Sequence, residues 1–279
     1  MQISQPEQSG GPQAAGLDPA ELAAIRTTAA ALADAARVET LRHFRRRDLP
    51  TDNKAGAGFD PVTEADRGAE RIMREILTQR RPDDAILGEE YGHQPGRSGL
   101  TWVLDPVDGT RSFMCGAPTW GVLIGVTDAR GPLYGLIDQP WTGERFEGGG
   151  GHAILTAPQG DSALSVRRDV ALDRATLLTT YPDLGSAAET AAFRRLSAQV
   201  RLTRYGLDCY AYALLALGQV DLVVEAGLQP HDIVAPIAVI EAAGGIVTDW
   251  QGGPAHRGGQ VIAAATPALH RAALALLAG

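Results

Sequence analysis

Lysine is almost missing from this chain: of its 25 basic side chains only Lys54 is a lysine. Basic excess is missing too, since 33 acids leave a net charge of −8, and no block of like charge is long enough to form a binding tail. Both features exclude a nucleic-acid surface as the natural reading. No uninterrupted apolar run reaches the roughly 18 residues that a spanning helix needs, which excludes a helical membrane protein. Two cysteines, Cys115 and Cys209, are too few for a disulfide framework and suit reduced thiols. The first 17 residues are rich in Gln, Gly and Pro and have no apolar core, so they are expected to form a loose, disordered arm rather than a signal peptide. These absences together point to a cytoplasmic protein.

What is present is enough for a sizeable core: 279 residues, 44% of them hydrophobic. Asp18-Pro19 followed by Glu21 reads as the start of an Ala-rich helix towards Arg45. A second amphipathic helix is expected in "VTEADRGAERIMREILTQ", where Ala65, Ala69, Ile72, Met73, Ile76 and Leu77 recur at helical spacing. From Ala85 the pattern changes to short apolar runs separated by Gly and Pro, which read as strands. The cluster Gly148 to Gly151 is a plausible boundary, giving an N-terminal half over residues 18–147 and a C-terminal half over residues 152–279. In the second half, helical and strand patterns alternate. Helices, then strands, then an α/β half suggest a layered sandwich.

Carboxylates stand at the ends of several of these elements: Asp66, the pair Glu89-Glu90, Asp105 and Asp108, and Asp232. The chain must turn at Asp105-Pro106, because proline cannot continue strand pairing. Such a turn can bring Asp105 and Asp108 together beside the Val107 carbonyl. Close carboxylates repel unless neutralised, and hard divalent cations prefer such oxygens, with Mg2+ the natural candidate. Gly109-Thr110 then offers close backbone approach and the free N–H groups of a helix start, which suit a phosphate. Simpler explanations stand beside this one. D-x-x-D-G is good turn chemistry, Asp66 closes a T-x-x-D capping box with Thr63, and Asp232 is an acid favoured by the helix dipole. Lys54 draws attention as a compact cation in "NKAGAG", and it is equally a solvated loop residue.

Taken in order, "DPVTEAD", "GEE", "WVLDPVDGTRSF" and "HDIVAPIAVIEAAGG" resemble the motifs of the inositol monophosphatase family, magnesium-dependent and lithium-sensitive phosphatases. The likeness runs from about Ala20 to the C-terminus. It implies a five-layer αβαβα sandwich of the inositol monophosphatase and fructose-1,6-bisphosphatase type, usually as a homodimer. It implies that Glu89, Asp105 and the Val107 carbonyl hold one Mg2+ and that Asp105, Asp108 and Asp232 hold a second. Glu89 would share in a third, weaker site, with Glu90 beside it, and Mn2+ could substitute. Gly109 and Thr110 would cradle the phosphate, while Asp66 would bond the Thr110 hydroxyl that orients a water for in-line attack. Lys54 falls near the family's loop lysine, although "KAGAGFD" has its own spacing. Cys115 is expected to pack just past the phosphate loop.

Within the family, "YGLDCYAYALLALGQVDLVVEAGLQPHD" and the Arg of "DGTRSF" look most like the histidinol-phosphate phosphatase branch. That substrate carries an ammonium and an imidazole, so Asp208 and Glu225 are candidates to receive it, with Arg111 beside the phosphate. The residues also allow other readings. Asp208 could cap the helix that follows, and Glu225 could bind inositol or sugar hydroxyls. An inositol-1-monophosphatase or broad-specificity sugar phosphatase is therefore the alternative. A non-catalytic metal- or phosphate-binding regulator is a third reading.

Overall fold

The computed structural model describes residues 17–46, 51–53 and 61–279. Lys54 and residues 1–16 of the expected arm lie outside them. Helix α1 (Pro19–His43) begins where the Asp18 carboxylate accepts from Ala20 N and proline takes the first position. Strands β1 (Thr51–Asn53) and β2 (Pro61–Thr63) pair and lead into α2 (Glu64–Arg80). The first layer is α1 and α2, which press Ile25, Leu32, Met73 and Leu77 onto Trp102, Ile124 and Leu136 of the sheet below; Leu17 already packs against this core.

That sheet holds β3 (Ala85–Gly88), β4 (Gly92–Gln94), β5 (Thr101–Asp108), β6 (Gly121–Asp128), β7 (Gly131–Gln139), β8 (Glu144–Gly149), β9 (His152–Thr156) and β10 (Ser162–Ala163). Its spatial order is β10-β9-β8-β7-β6-β5-β3-β4, with β3 and β5 parallel and the other neighbours antiparallel. The short helix α3 (Thr110–Cys115) sits between β5 and β6. Gly148 to Gly151, read from sequence as a boundary between halves, is instead the end of β8 and a tight reversal into β9. Gly149, Gly150 and Gly151 all take positive φ there, and Gly149 pairs with His152. The first sheet thus continues to Ala163 before the chain leaves it.

The second sheet is ordered β12-β11-β13-β15-β14. It is built from β11 (Thr176–Thr179), β12 (Leu202–Tyr205), β13 (Leu222–Leu228), β14 (Ile246–Thr248) and β15 (Gly259–Ala264). Helices α5 (Tyr210–Ala216) and α6 (Pro230–Ala242) lie between the two sheets, where Leu215, Ile233, Val239 and Ile240 meet Leu123, Ile137, Phe146 and Val223. Helices α4 (Ala187–Ser197) and α7 (Pro267–Ala278) cover the far face with Phe193, Leu196, Leu269 and Leu277. Helices, sheet, helices, sheet, helices make the five layers. No helix among the described residues is long and apolar enough to cross a membrane.

One close approach in this stack positions chemistry. Gly125, Gly135 and Gly148 lie side by side across β6, β7 and β8. A Cβ on Gly125 would stand 2.6 Å from Val234 Cγ1, and one on Gly135 would stand 2.9 Å from Ala235 Cα. The bare ladder lets α6 lie directly on the sheet, which carries the first turn of α6 to the ends of β5 and β6.

Candidate active site

The irregular end of β5 is where the site starts. The β5–β6 register shifts between Asp105 and Asp108, and Asp105 Oδ1 accepts from Val107 N at 3.0 Å in a local turn. Gly109 follows at φ +85° and caps α3. A side chain there would be strained by that φ and would also stand 2.8 Å from Asp208 Cγ. Three further elements arrive at the same place: the turn after β3 with Glu89, the middle of β13 with Glu225, and the first turn of α6 with Asp232. Together they enclose a cleft of about 280 Å³.

Ten of the residues singled out from sequence line it: Glu89, Asp105, Val107, Asp108, Gly109, Thr110, Arg111, Asp208, Glu225 and Asp232. Asp66 is almost fully buried behind Thr110, and its two oxygens divide the two roles weighed for it. Oδ2 accepts from Thr63 N at 2.9 Å and from the Thr63 hydroxyl, completing the capping box. Oδ1 accepts from the Thr110 hydroxyl at 3.4 Å, and Thr110 Oγ1 also lies 3.2 Å from the Val107 carbonyl. Asp232 is divided in the same way: Gln229 N donates to its Oδ2 at 2.6 Å as a helix cap, while the residue lines the cleft. Asp108 Oδ2 accepts from Cys209 N at 2.6 Å. Glu90 is not part of the cleft lining.

Asp208 does not cap α5. The cap position belongs to Cys209, without a side-chain bond. Asp208 itself sits at φ +48°, with Oδ2 accepting from Ser112 Oγ at 2.5 Å and Thr119 Oγ1 at 3.3 Å. Glu225 Oε1 accepts from Thr180 N at 2.6 Å and Thr180 Oγ1 at 2.9 Å, and Oε2 accepts from Thr179 Oγ1 at 3.2 Å. Cys115, expected to pack, is exposed at the end of α3, and Cys209 is the buried thiol.

Burial and mutual repulsion disfavour the charged forms of Asp66, Asp105, Asp108, Glu225 and Asp232. Burial first, then repulsion from Glu89, Asp108 and Asp232, pushes the Asp105 carboxyl well above its usual range. Burial and the neighbours Asp208 and Asp232 do the same to Asp108. Asp232 is raised by burial and by Glu89, against the opposing pull of His231. Asp66 rises to about 6 and Glu225 to about 7, in both cases through burial outweighing the hydrogen bonds that favour the charged form. Asp105, Asp108 and Asp232 can each present an oxygen within 4.8 Å of the others. An all-oxygen, mutually repelling set of this kind fits a hard divalent cation, which would satisfy the charges that burial leaves exposed to one another.

Sequence reasoning missed several residues of the site. Tyr181 and Thr180 stand in the loop after β11, a four-residue buried strand too short to recognise, and the Arg111 guanidinium lies 5.7 Å from the centre of the Tyr181 ring. Tyr212 lines the cleft from α5. His231 can present a nitrogen within 4.8 Å of oxygens of Glu89 and Asp105; its place beside Asp232 in "HDIV" is the signal that could have found it. Glu70 is buried under the Glu89 turn, where it accepts from Glu90 N at 2.6 Å and Tyr91 N at 3.2 Å and pairs with Arg74 at 2.7 Å. A Cβ on Gly88 would collide with that carboxylate. The helical spacing of Glu70 and Arg74 was legible, but not the turn they support.

Comparison with known proteins agrees with this geometry. The inositol monophosphatase family profile matches residues 20–278. The chloroplastic bifunctional phosphatase IMPL2 of Arabidopsis thaliana is 42% identical over 238 residues, covering 85% of this chain and 67% of that protein. A histidinol-phosphatase of Chlorobaculum parvum is 32% identical, covering 88% and 93%. Among solved structures, an inositol monophosphatase from Zymomonas mobilis superimposes with a TM-score of 0.81 at 38% identity, covering 94% of this chain and all of that one.

Proposed function

Because this chain belongs to the inositol monophosphatase family and is a phosphatase of small phosphate monoesters, we propose that its substrate is L-histidinol phosphate, hydrolysed to L-histidinol and phosphate. The observation that carries the choice is a pair of acids in the cleft lining, Glu225 buried and Asp208 half-buried against Gly109. Glu225 and Asp208 both line the cleft, and a substrate ammonium near them would relieve the burial cost that each carries. Relatives named histidinol-phosphatase support the same reading. The Tyr181 ring at the cleft wall offers a flat partner for an imidazole. The alternative, inositol 1-phosphate, is favoured by the likeness to the Zymomonas mobilis structure.

The residues fit Mg2+: Glu89, Asp105 and the Val107 carbonyl would hold one ion, and Asp105, Asp108 and Asp232 would hold a second. When bound, the cations supply Lewis acidity to the phosphoryl oxygens and make water at the site more acidic. The chain's own groups do the rest. Gly109 and Thr110 receive the phosphate through backbone N–H groups at the start of α3. The Thr110 hydroxyl, held between Asp66 and the Val107 carbonyl, orients the attacking water in line with the ester bond. Asp66, with its midpoint near 6, fixes that hydroxyl and would take up the water's proton through it, the Thr110 O–H passing its own proton to Asp66 as it receives the water's, while the leaving ester oxygen takes a proton from solvent. Arg111 approaches the phosphate or the adjoining carbon chain, and Glu225 with Asp208 orients the amine so that the ester oxygen leaves along the cleft. The active species is a homodimer, as the family resemblance implies; light scattering tests that point.

The experiment is phosphate release from L-histidinol phosphate and from inositol 1-phosphate at equal concentration, with and without Mg2+. The reading requires Mg2+-dependent release with a clear preference for L-histidinol phosphate. A preference for inositol 1-phosphate contradicts it.

A further inference from the structure

Two overlapping sets of possible metal donors meet at the cleft, the second completed by His231 from outside its lining, and they differ in kind. Asp105, Asp108 and Asp232 offer oxygen alone, whereas Glu89, Asp105 and His231 bring an imidazole nitrogen within 4.8 Å of two carboxylate oxygens. Donors about 2.0–2.2 Å from a shared ion can be separated by as much as roughly twice that distance, so the second set can close on one cation after a small adjustment. His231 is brought there by the first turn of α6, the turn that also delivers Asp232, and only 17% of its side-chain surface is exposed. Its Nε2 is 3.5 Å from Asp232 Oδ1, longer than a good hydrogen bond. At that distance the ring makes an ion pair with Asp232 and no close hydrogen bond, which leaves Nε2 able to serve another partner.

We propose that His231 is a ligand of the cation shared by Glu89 and Asp105, and that its nitrogen makes this site prefer Mn2+ over Mg2+. The inference rests on the reading of the cleft as a metal centre. Mg2+ is bound through oxygen and gives up water reluctantly. Imidazole adds affinity for first-row transition ions that Mg2+ does not gain, least for Mn2+ and more towards Cu2+, so the discrimination between Mn2+ and Mg2+ is modest. Asp105 belongs to both sets, so a hard all-oxygen site and a softer mixed site stand side by side and share one carboxylate. Mg2+ would fill the first readily, and the second would discriminate.

The test uses the full chain stripped of metal, with Mg2+ and Mn2+ titrated separately by calorimetry into the native protein and into His231→Gln and His231→Phe. Both variants are checked for unchanged circular dichroism and thermal midpoint without metal. Loss of the nitrogen is expected to weaken Mn2+ at one site by about tenfold to a hundredfold, with Mg2+ changed by less than about threefold. Pulsed electron paramagnetic resonance of the Mn2+ protein should carry coupling to an imidazole nitrogen that both variants lack. Equal weakening of Mg2+ and Mn2+, without nitrogen coupling in the native protein, would overturn the assignment and leave His231 as a residue that positions Asp232. Native-like Mn2+ binding in both variants would overturn it as well. Failure of the native protein to bind either ion would instead defeat the metal-centre reading itself.

Discussion

Replacing Glu225 by glutamine removes a charge that the fold buries without removing the bonds that hold the side chain. The native carboxylate accepts from Thr180 N and Thr180 Oγ1 through one oxygen and from Thr179 Oγ1 through the other. A glutamine oxygen can keep both Thr180 bonds, and its NH2 can donate to Thr179 Oγ1. Burial raises the Glu225 midpoint from 4.5 to about 7. A group raised in this way contributes its stability fully below the unfolded value and loses it as pH climbs through the folded value, so the window runs from about 4.5 to about 7. At about 1.4 kcal/mol per pH unit between those two midpoints, the loss is roughly 3 kcal/mol. Urea unfolding of chelator-treated protein at pH 5 and pH 8 measures it. The native protein should lose roughly 3 kcal/mol more than Glu225→Gln over that interval, since Asp66 and the other acids titrate in both. An equal loss in the two proteins would refute the argument that the fold holds this acid at a cost when it is charged.

Gly135→Ala should push α6 off the first sheet, costing about 1–3 kcal/mol by overpacking and displacing Asp232; thermal unfolding and the Mg2+ concentration needed for half-maximal phosphate release would both register it. Glu70→Gln turns an NH2 group towards a backbone N–H or Arg74, so about 1.5–3 kcal/mol of stability should be lost. Its half-maximal Mg2+ concentration should also rise, because the Glu89 turn loses its support. Asp66→Asn should lower kcat by on the order of a hundredfold with little change in KM, as expected for a group that acts on the attacking water; steady-state kinetics on L-histidinol phosphate would decide.

Most of the helices were legible because their signals are local. The Asp18-Pro19 start and the Thr63-Asp66 box are written in consecutive residues, and both stand where expected. The acids that line the cleft were legible for a related reason, since Glu89, Asp105, Asp108 and Asp232 each lie at an element end marked by Pro or Gly. What escaped the sequence depends on contacts distant along the chain. The buried strand β11 has only four residues, so no periodicity could develop, and Thr180 and Tyr181 were lost with it. The ladder Gly125, Gly135, Gly148 becomes one feature only when β6, β7 and β8 are in register. Gly148 to Gly151 looked like a linker because a reversal between two strands of one sheet uses the same residues as a hinge between two domains. Asp66 and Asp232 were posed as a choice between cap and active-site role. A carboxylate has two oxygens, and in both residues one oxygen caps the helix while the side chain also stands in or behind the cleft.

The central claim is that buried, mutually repelling carboxylates are there to hold divalent cations against a phosphate ester. Asp105 stands in both donor sets, so Asp105→Asn is the most direct probe, measured as Mg2+-dependent phosphate release from L-histidinol phosphate, with circular dichroism to confirm the fold. The variant should fold, and its release should fall to the level seen without Mg2+. Native-like release from a folded Asp105→Asn protein would contradict the account.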